Sequence, residues 1–146
     1  MMDTKEYLSQ YRDAMIKIDK LKKDVEYYNH MSYTLPGMSF DQVRVDGTKK
    51  MEAPFTKWIH KVLDCELKIK KLEKQLPTIK DQIISTIEKL EDTELKSVLI
   101  FKYIDLLSWS ETAKEMYCSY ATVRRKHSQA LEQITPHVRM SRGEQG

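Results

Sequence analysis

The sequence predicts an all-α fold, a long helical hairpin or coiled-coil stalk followed by a C-terminal helix-turn-helix. Three observations carry that prediction. Only four Gly and four Pro punctuate 146 residues, a balance that disfavours a turn-rich β fold. Apolar residues recur in alternating steps of three and four, the signature of a helical seam. Near the C-terminus, short helical stretches are separated by tight capping signals rather than by long loops.

The first helix is expected to begin at Asp3 or Thr4, either of which can cap it, with Glu6 adding a favourable charge in the first turn. Its seam runs Tyr7, Tyr11, Ala14, Ile18, Leu21, Val25, Tyr28. From Met31 to about Lys50 the period disappears, and Leu35-Pro36-Gly37 and Asp46-Gly47 are turn signals, so a flexible loop is expected over 31–50. A second seam reads Phe55, Trp58, Val62, Cys65, Ile69, Leu72, Leu76, Ile79, Ile83, Thr86, Leu90. Pro77 lies inside it, and at ~3 kcal/mol for an interior proline a kink or break after Leu76 is expected. The two seams fit an antiparallel hairpin within one chain or pairing between chains, and residues 1–91 form this hairpin and oligomerisation region.

Three helical pieces follow. The first spans Thr93 to Asp105, with Leu95, Val98, Leu99, Tyr103 and Leu106 facing inward. The second opens on Ser108-Trp109-Ser110-Glu111, a capping box in which Ser and Glu satisfy each other's backbone donors. Ser119 can cap the third, which is expected to end at Pro136 and leave 137–146 as a tail. Its apolar stripe is Val123, His127, Ala130, Leu131, Ile134. The opposite face gathers Tyr120, Ala121, Arg124, Arg125 and Ser128, with Thr122 and Lys126 on the flanks.

Charge supports a function for that face. The net charge of +3 says little, but its distribution says more. Residues 91–118 carry three Lys and Arg against six Asp and Glu, and residues 119–146 carry five against two. The sign reverses at Ser119. A basic helix after an acidic scaffold suits a phosphate-rich partner, and the outward residues early in the third helix would reach base edges in a major groove. The DNA-binding residues expected are therefore Ser119, Tyr120, Ala121, Thr122, Arg124, Arg125, Lys126 and Ser128, with double-stranded DNA as partner. A homodimer would read two related half-sites.

Catalysis is not expected. The sequence has no Gly-rich phosphate loop and no nucleophile beside a base. No cofactor is implied. His30, His60 and His137 lack partners at ligand spacing, so no metal is expected either. His127 falls on the core stripe and reads as a satisfied, half-buried histidine. Cys65 and Cys118 read as reduced and half-buried. No apolar run approaches the ~20 residues that span a bilayer, and no signal core opens the chain, so a cytoplasmic protein is expected.

The stretch from Leu95 to Leu131, with Ser108-Trp109-Ser110-Glu111-Thr112-Ala113 and Ser119 to Ser128 at its centre, resembles region 4 of sigma-70-type factors. More broadly the chain resembles small phage and prophage regulators of the RinA/ArpU type, with a long central helix opening near Met51-Glu52. That resemblance implies transcriptional activation of phage late or packaging genes. It also implies contact with bacterial RNA polymerase, for which the acidic face of residues 91–115 is the candidate surface. Two positions depart from the pattern: Tyr117 stands where the turn has Gly, and Thr112 where a branched aliphatic residue precedes Ala113. The alternatives are a helical protein-interaction module and a phage packaging-site recognition protein.

Overall fold

The computed structural model describes residues 3–34 and 54–141, and every regular element among them is helical. The order is α1 (Thr4–Leu8), α2 (Gln10–Thr34), α3 (Pro54–Ile87), α4 (Thr93–Leu99) continued by a π-helical turn (Ile100–Ile104), α5 (Trp109–Glu115) and α6 (Tyr120–Ser141). The loop expected over 31–50 falls outside the described residues from residue 35 on, as does Met51-Glu52; Met31–Thr34 belong to α2.

Asp3 caps α1 and completes a capping box with Glu6: the Glu6 N–H donates to Asp3 Oδ1 at 2.8 Å and the Asp3 N–H to Glu6 Oε1 at 2.9 Å. The first helical region is interrupted at Ser9, which leaves Leu8, off the predicted seam, fully buried beside Tyr7.

Neither interior proline breaks its helix, so the break after Leu76 and the end at Pro136 do not occur. α3 runs unbroken from Pro54 to Ile87 through Pro77, and α6 continues through Pro136 to Ser141. Each proline frees the carbonyl four residues back, on Glu73 and Glu132. Both prolines and both glutamates are exposed, so water can take the freed acceptors and the cost stays local. Val138, expected in a tail, is 1% exposed and belongs to the core.

Packing divides the chain into two compact units: residues through Met15 with those from Gln75 onward, and Ile16–Lys74. In the second unit the seams pair within the chain and antiparallel. Tyr28 stacks on Trp58 with ring centroids 5.8 Å apart, and further along Lys22 lies 3.6 Å from Glu73. Val62, Cys65 and Ile69 are buried there. The first unit is built on Tyr7, Leu8, Ile83, Ile87, Leu90, Leu95, Leu99, Tyr103, Ile104, Ala130, Ile134 and Val138. Periodicity marks a boundary at 91/92; packing instead draws the N-terminal turns and the end of α3 into one core with α4–α6. The Thr4 and Thr135 hydroxyls meet at 2.8 Å and tie α1 to α6, and Tyr7 Oη lies 3.0 Å from Thr86 Oγ1.

Candidate nucleic-acid interface

α5 and α6 are joined by a tight turn whose hydrogen bonds define it. Ser108 opens α5 through the predicted capping box: its hydroxyl accepts the Glu111 N–H at 3.0 Å, and its own N–H donates to Glu111 Oε1 at 2.8 Å. The bond from the Ser108 N–H foremost, then the Ser108 hydroxyl beside the carboxylate, holds the Glu111 carboxyl below its ordinary value. At the other end the Tyr117 N–H donates to Lys114 O at 3.2 Å and the Cys118 N–H to Ala113 O at 3.1 Å. That pair of bonds is a Schellman motif, whose C′ residue takes the left-handed conformation and is usually Gly. Here it is Tyr117, at φ 53°, with its side chain 95% exposed.

Two residues later Ser119 starts α6. Its Oγ accepts the Thr122 N–H at 3.1 Å and its carbonyl accepts the Val123 N–H. No acidic residue sits in the first turn of α6, so the positive end of the helix dipole is left uncompensated by local charge.

Thr112 is fully buried where the crossing needs an apolar group. Its hydroxyl donates to Ser108 O at 2.8 Å, which satisfies the polar atom inside the helix and leaves the methyl to pack. The stripe of α6 faces inward: Val123, Ala130 and Ile134 are fully buried and Leu131 partly so. His127 is 6% exposed and its Nε2 lies 2.8 Å from Tyr103 Oη. Burial pushes His127 down to about 4 and Tyr103 up to about 12. Both are therefore neutral near pH 7, and the pair is a satisfied core contact.

The eight sequence-predicted residues are not equivalent. Tyr120, Ala121, Arg124, Arg125 and Ser128 are exposed together on the outer face of α6. Ser119 and Thr122 are engaged with each other at the helix start, the Ser119 hydroxyl donating to Thr122 Oγ1 at 2.8 Å. Lys126 is turned toward α4 and paired with Glu94, which raises its pKa. Of the acidic residues between 91 and 115, Glu94 is thus bound to Lys126 and Glu111 to Ser108.

Residues outside the predicted set shape the same face. The Arg124 guanidinium lies 4.7 Å from the Trp109 ring and donates to Tyr120 Oη at 3.3 Å. On the same indole the Lys102 ammonium lies 4.1 Å from the centroid. The π-helical turn brings it there. Such a turn carries an extra residue and shifts the side chains that follow, and here it presents Lys102 to Trp109 and Tyr103 to His127 from adjacent positions. Leu106, left-handed at φ 57°, closes the turn, and the Leu107 carbonyl accepts the Lys102 ammonium at 2.8 Å. No spacing in the sequence announces a π-helical turn, so Lys102 and Trp109 were not legible as neighbours of Arg124.

The family described as "Protein of unknown function (DUF1492)" matches residues 31–135, well over half of the chain. The chain belongs to this family. Neither a curated protein nor a solved structure matches it. The DUF1492 match takes in α3–α5 and α6 as far as Thr135, including the whole exposed face; α1 lies before it. Among the described residues of this DUF1492 protein, no cluster of His, Cys, Asp or Glu could hold a metal ion. No described helix is long and apolar enough to cross a membrane.

Proposed function

We propose that this DUF1492 protein is a sequence-specific regulator that binds double-stranded DNA, with the outer face of α6 in the major groove. The observation that carries the reading is the exposed set Tyr120, Ala121, Arg124, Arg125 and Ser128 at the start of a helix whose N-terminus carries no acidic residue. α5, the Schellman turn and α6 supply a helix-turn-helix scaffold, in which the second helix presents its early residues to base edges. Arg125 is exposed and has no ion-pair partner among the described residues, so its fork is free to donate twice to a guanine. The resemblance to phage regulators with a sigma-70 region-4-like motif extends the proposal to activation of late or packaging genes in a bacterial host, with RNA polymerase as second partner and a homodimer as the acting species.

The test is selection from a random duplex library at near-physiological salt, followed by Arg125→Ala on the enriched site. Enrichment of a spaced repeat supports a dimeric reader. Arg125→Ala should then lose ~1–3 kcal/mol of specific affinity, roughly 5- to 150-fold. No enrichment, together with no salt-dependent affinity for any duplex, would sink the proposal.

A second reading has its own observation. Ile59, Leu63 and Leu67 are exposed at four-residue spacing on α3, a stripe that suits a helical protein-interaction module. That reading predicts no DNA affinity, so the same selection separates the two.

A further inference from the structure

Two cations sharing one indole need a reason to be there. Lys102 and Arg124 both lie within 5 Å of the Trp109 ring, and neither has an ion-pair partner among the described residues. By contrast, Lys126 is paired with Glu94 and Lys96 with Glu88. Among the described residues the carboxylate that acts on Lys102 is Glu111, which already accepts the Ser108 N–H. Burial, then Arg12 and Arg124, push the Lys102 ammonium below its ordinary value. The indole attracts each cation but cannot cancel their mutual repulsion. An anion can.

The donors still available fit one. Lys102 uses one of its three N–H groups on Leu107 O, and Arg124 one of its five on Tyr120 Oη. The Tyr120 hydroxyl, accepting from Arg124, keeps its own proton to donate. These groups stand beside the N-terminal turn of α6, where the helix dipole adds to the positive potential.

We propose that Lys102 and Arg124, gathered on Trp109, grip one phosphodiester of bound duplex DNA, extending the backbone contact from α6 to the π-helical turn. The inference rests on the DNA-binding reading above. Within it, Lys102 positions the protein on the backbone and reads no base.

The test is the salt dependence of duplex binding by Lys102→Gln, which keeps a donor for Leu107 O but loses the charge. Each phosphate neutralised contributes ~0.9 to the slope of log K against log salt. Because Arg124 still faces the same phosphate, Lys102→Gln should shrink the slope by less than about 0.9 and lower affinity by less than about 8-fold near 0.1 M salt, and Lys102→Gln combined with Arg124→Gln should lose the full amount. The loss should be equal on selected and unrelated duplexes, and Lys102→Arg should restore most of it. An unchanged slope with wild-type binding otherwise intact overturns this inference alone; absence of any wild-type duplex binding overturns the DNA reading and this inference with it. Should Lys102→Gln not fold, amine acetylation of the wild-type protein decides: duplex should shield Lys102 while Lys71 on α3 stays reactive. Unshielded Lys102 in the complex would refute the clamp, and equal shielding by inorganic phosphate alone would replace it with a free-anion site.

Discussion

Tyr117 offers a prediction whose size follows from one backbone angle. At φ 53° its Cβ crowds the following carbonyl, at roughly 1–2 kcal/mol for a residue in the left-handed region. Its side chain is 95% exposed, so removing the ring gives up almost no burial. Tyr117→Gly relieves the clash but frees the unfolded chain, a loss of about 0.5–1 kcal/mol. The net expectation is a gain of about 0.5–1 kcal/mol, a rise in Tm of some 2–5 °C for a chain of this size. Tyr117→Ala removes the same ring and keeps the Cβ, so it should change stability by less than about 0.5 kcal/mol. Thermal and urea unfolding of the three proteins, followed by far-ultraviolet circular dichroism, makes the comparison. If the Gly variant is no more stable than the Ala variant, the strain argument for this turn is wrong.

Other outcomes follow from the same core. His127 has a folded pKa near 4 against an ordinary 6.5, so below pH 6.5 the unfolded chain takes up a proton that the folded one refuses. Stability should be fully present above pH 6.5 and fall through the window down to about pH 4, by up to about 3 kcal/mol and nearer 2 after solvent screening; urea midpoints that stay flat between those values would contradict the burial of His127. Ser119→Ala removes the acceptor for the Thr122 N–H and should cost about 1 kcal/mol, read as a lower urea midpoint. Val138→Ala should cost about 2 kcal/mol because Val138 is a core residue beyond Pro136. A loss within 0.3 kcal/mol would return residues 137–146 to the status of a tail.

Much of the helical layout was legible because the signals are local. A 3–4 alternation has one physical meaning along a helix, and it marked Ala14, Ile18, Val62, Cys65, Ile69, Ile83 and Thr86, all buried. The Ser108 capping box and the Ser119 cap were legible for the same reason, since each is a bond between residues three apart. Proline was over-read as a helix breaker. Its cost depends on whether water reaches the carbonyl it frees, which is a property of the face on which Pro77 and Pro136 lie. Leu8 and Ile87 escaped the seams because they are buried by helices distant in sequence.

At the candidate interface, exposure of Tyr120, Ala121, Arg124, Arg125 and Ser128 follows from the helical period about the buried stripe. Periodicity could not show that Lys126 spends its charge on Glu94, 32 residues away, nor that Arg124 rests on Trp109.

By itself, then, the sequence determined the helices, their caps and the inward face of each, because those depend on contacts within about four residues. The tertiary structure decided which cations are neutralised and which are left to act. Ion pairing and cation–π contact act through space, and here they join α4, the π-helical turn and α5 to α6 across separations that no local pattern encodes. It also decided where the core ends, since α1, the end of α3 and the last turn of α6 bury their apolar groups in one cluster with α4 and the π-helical turn.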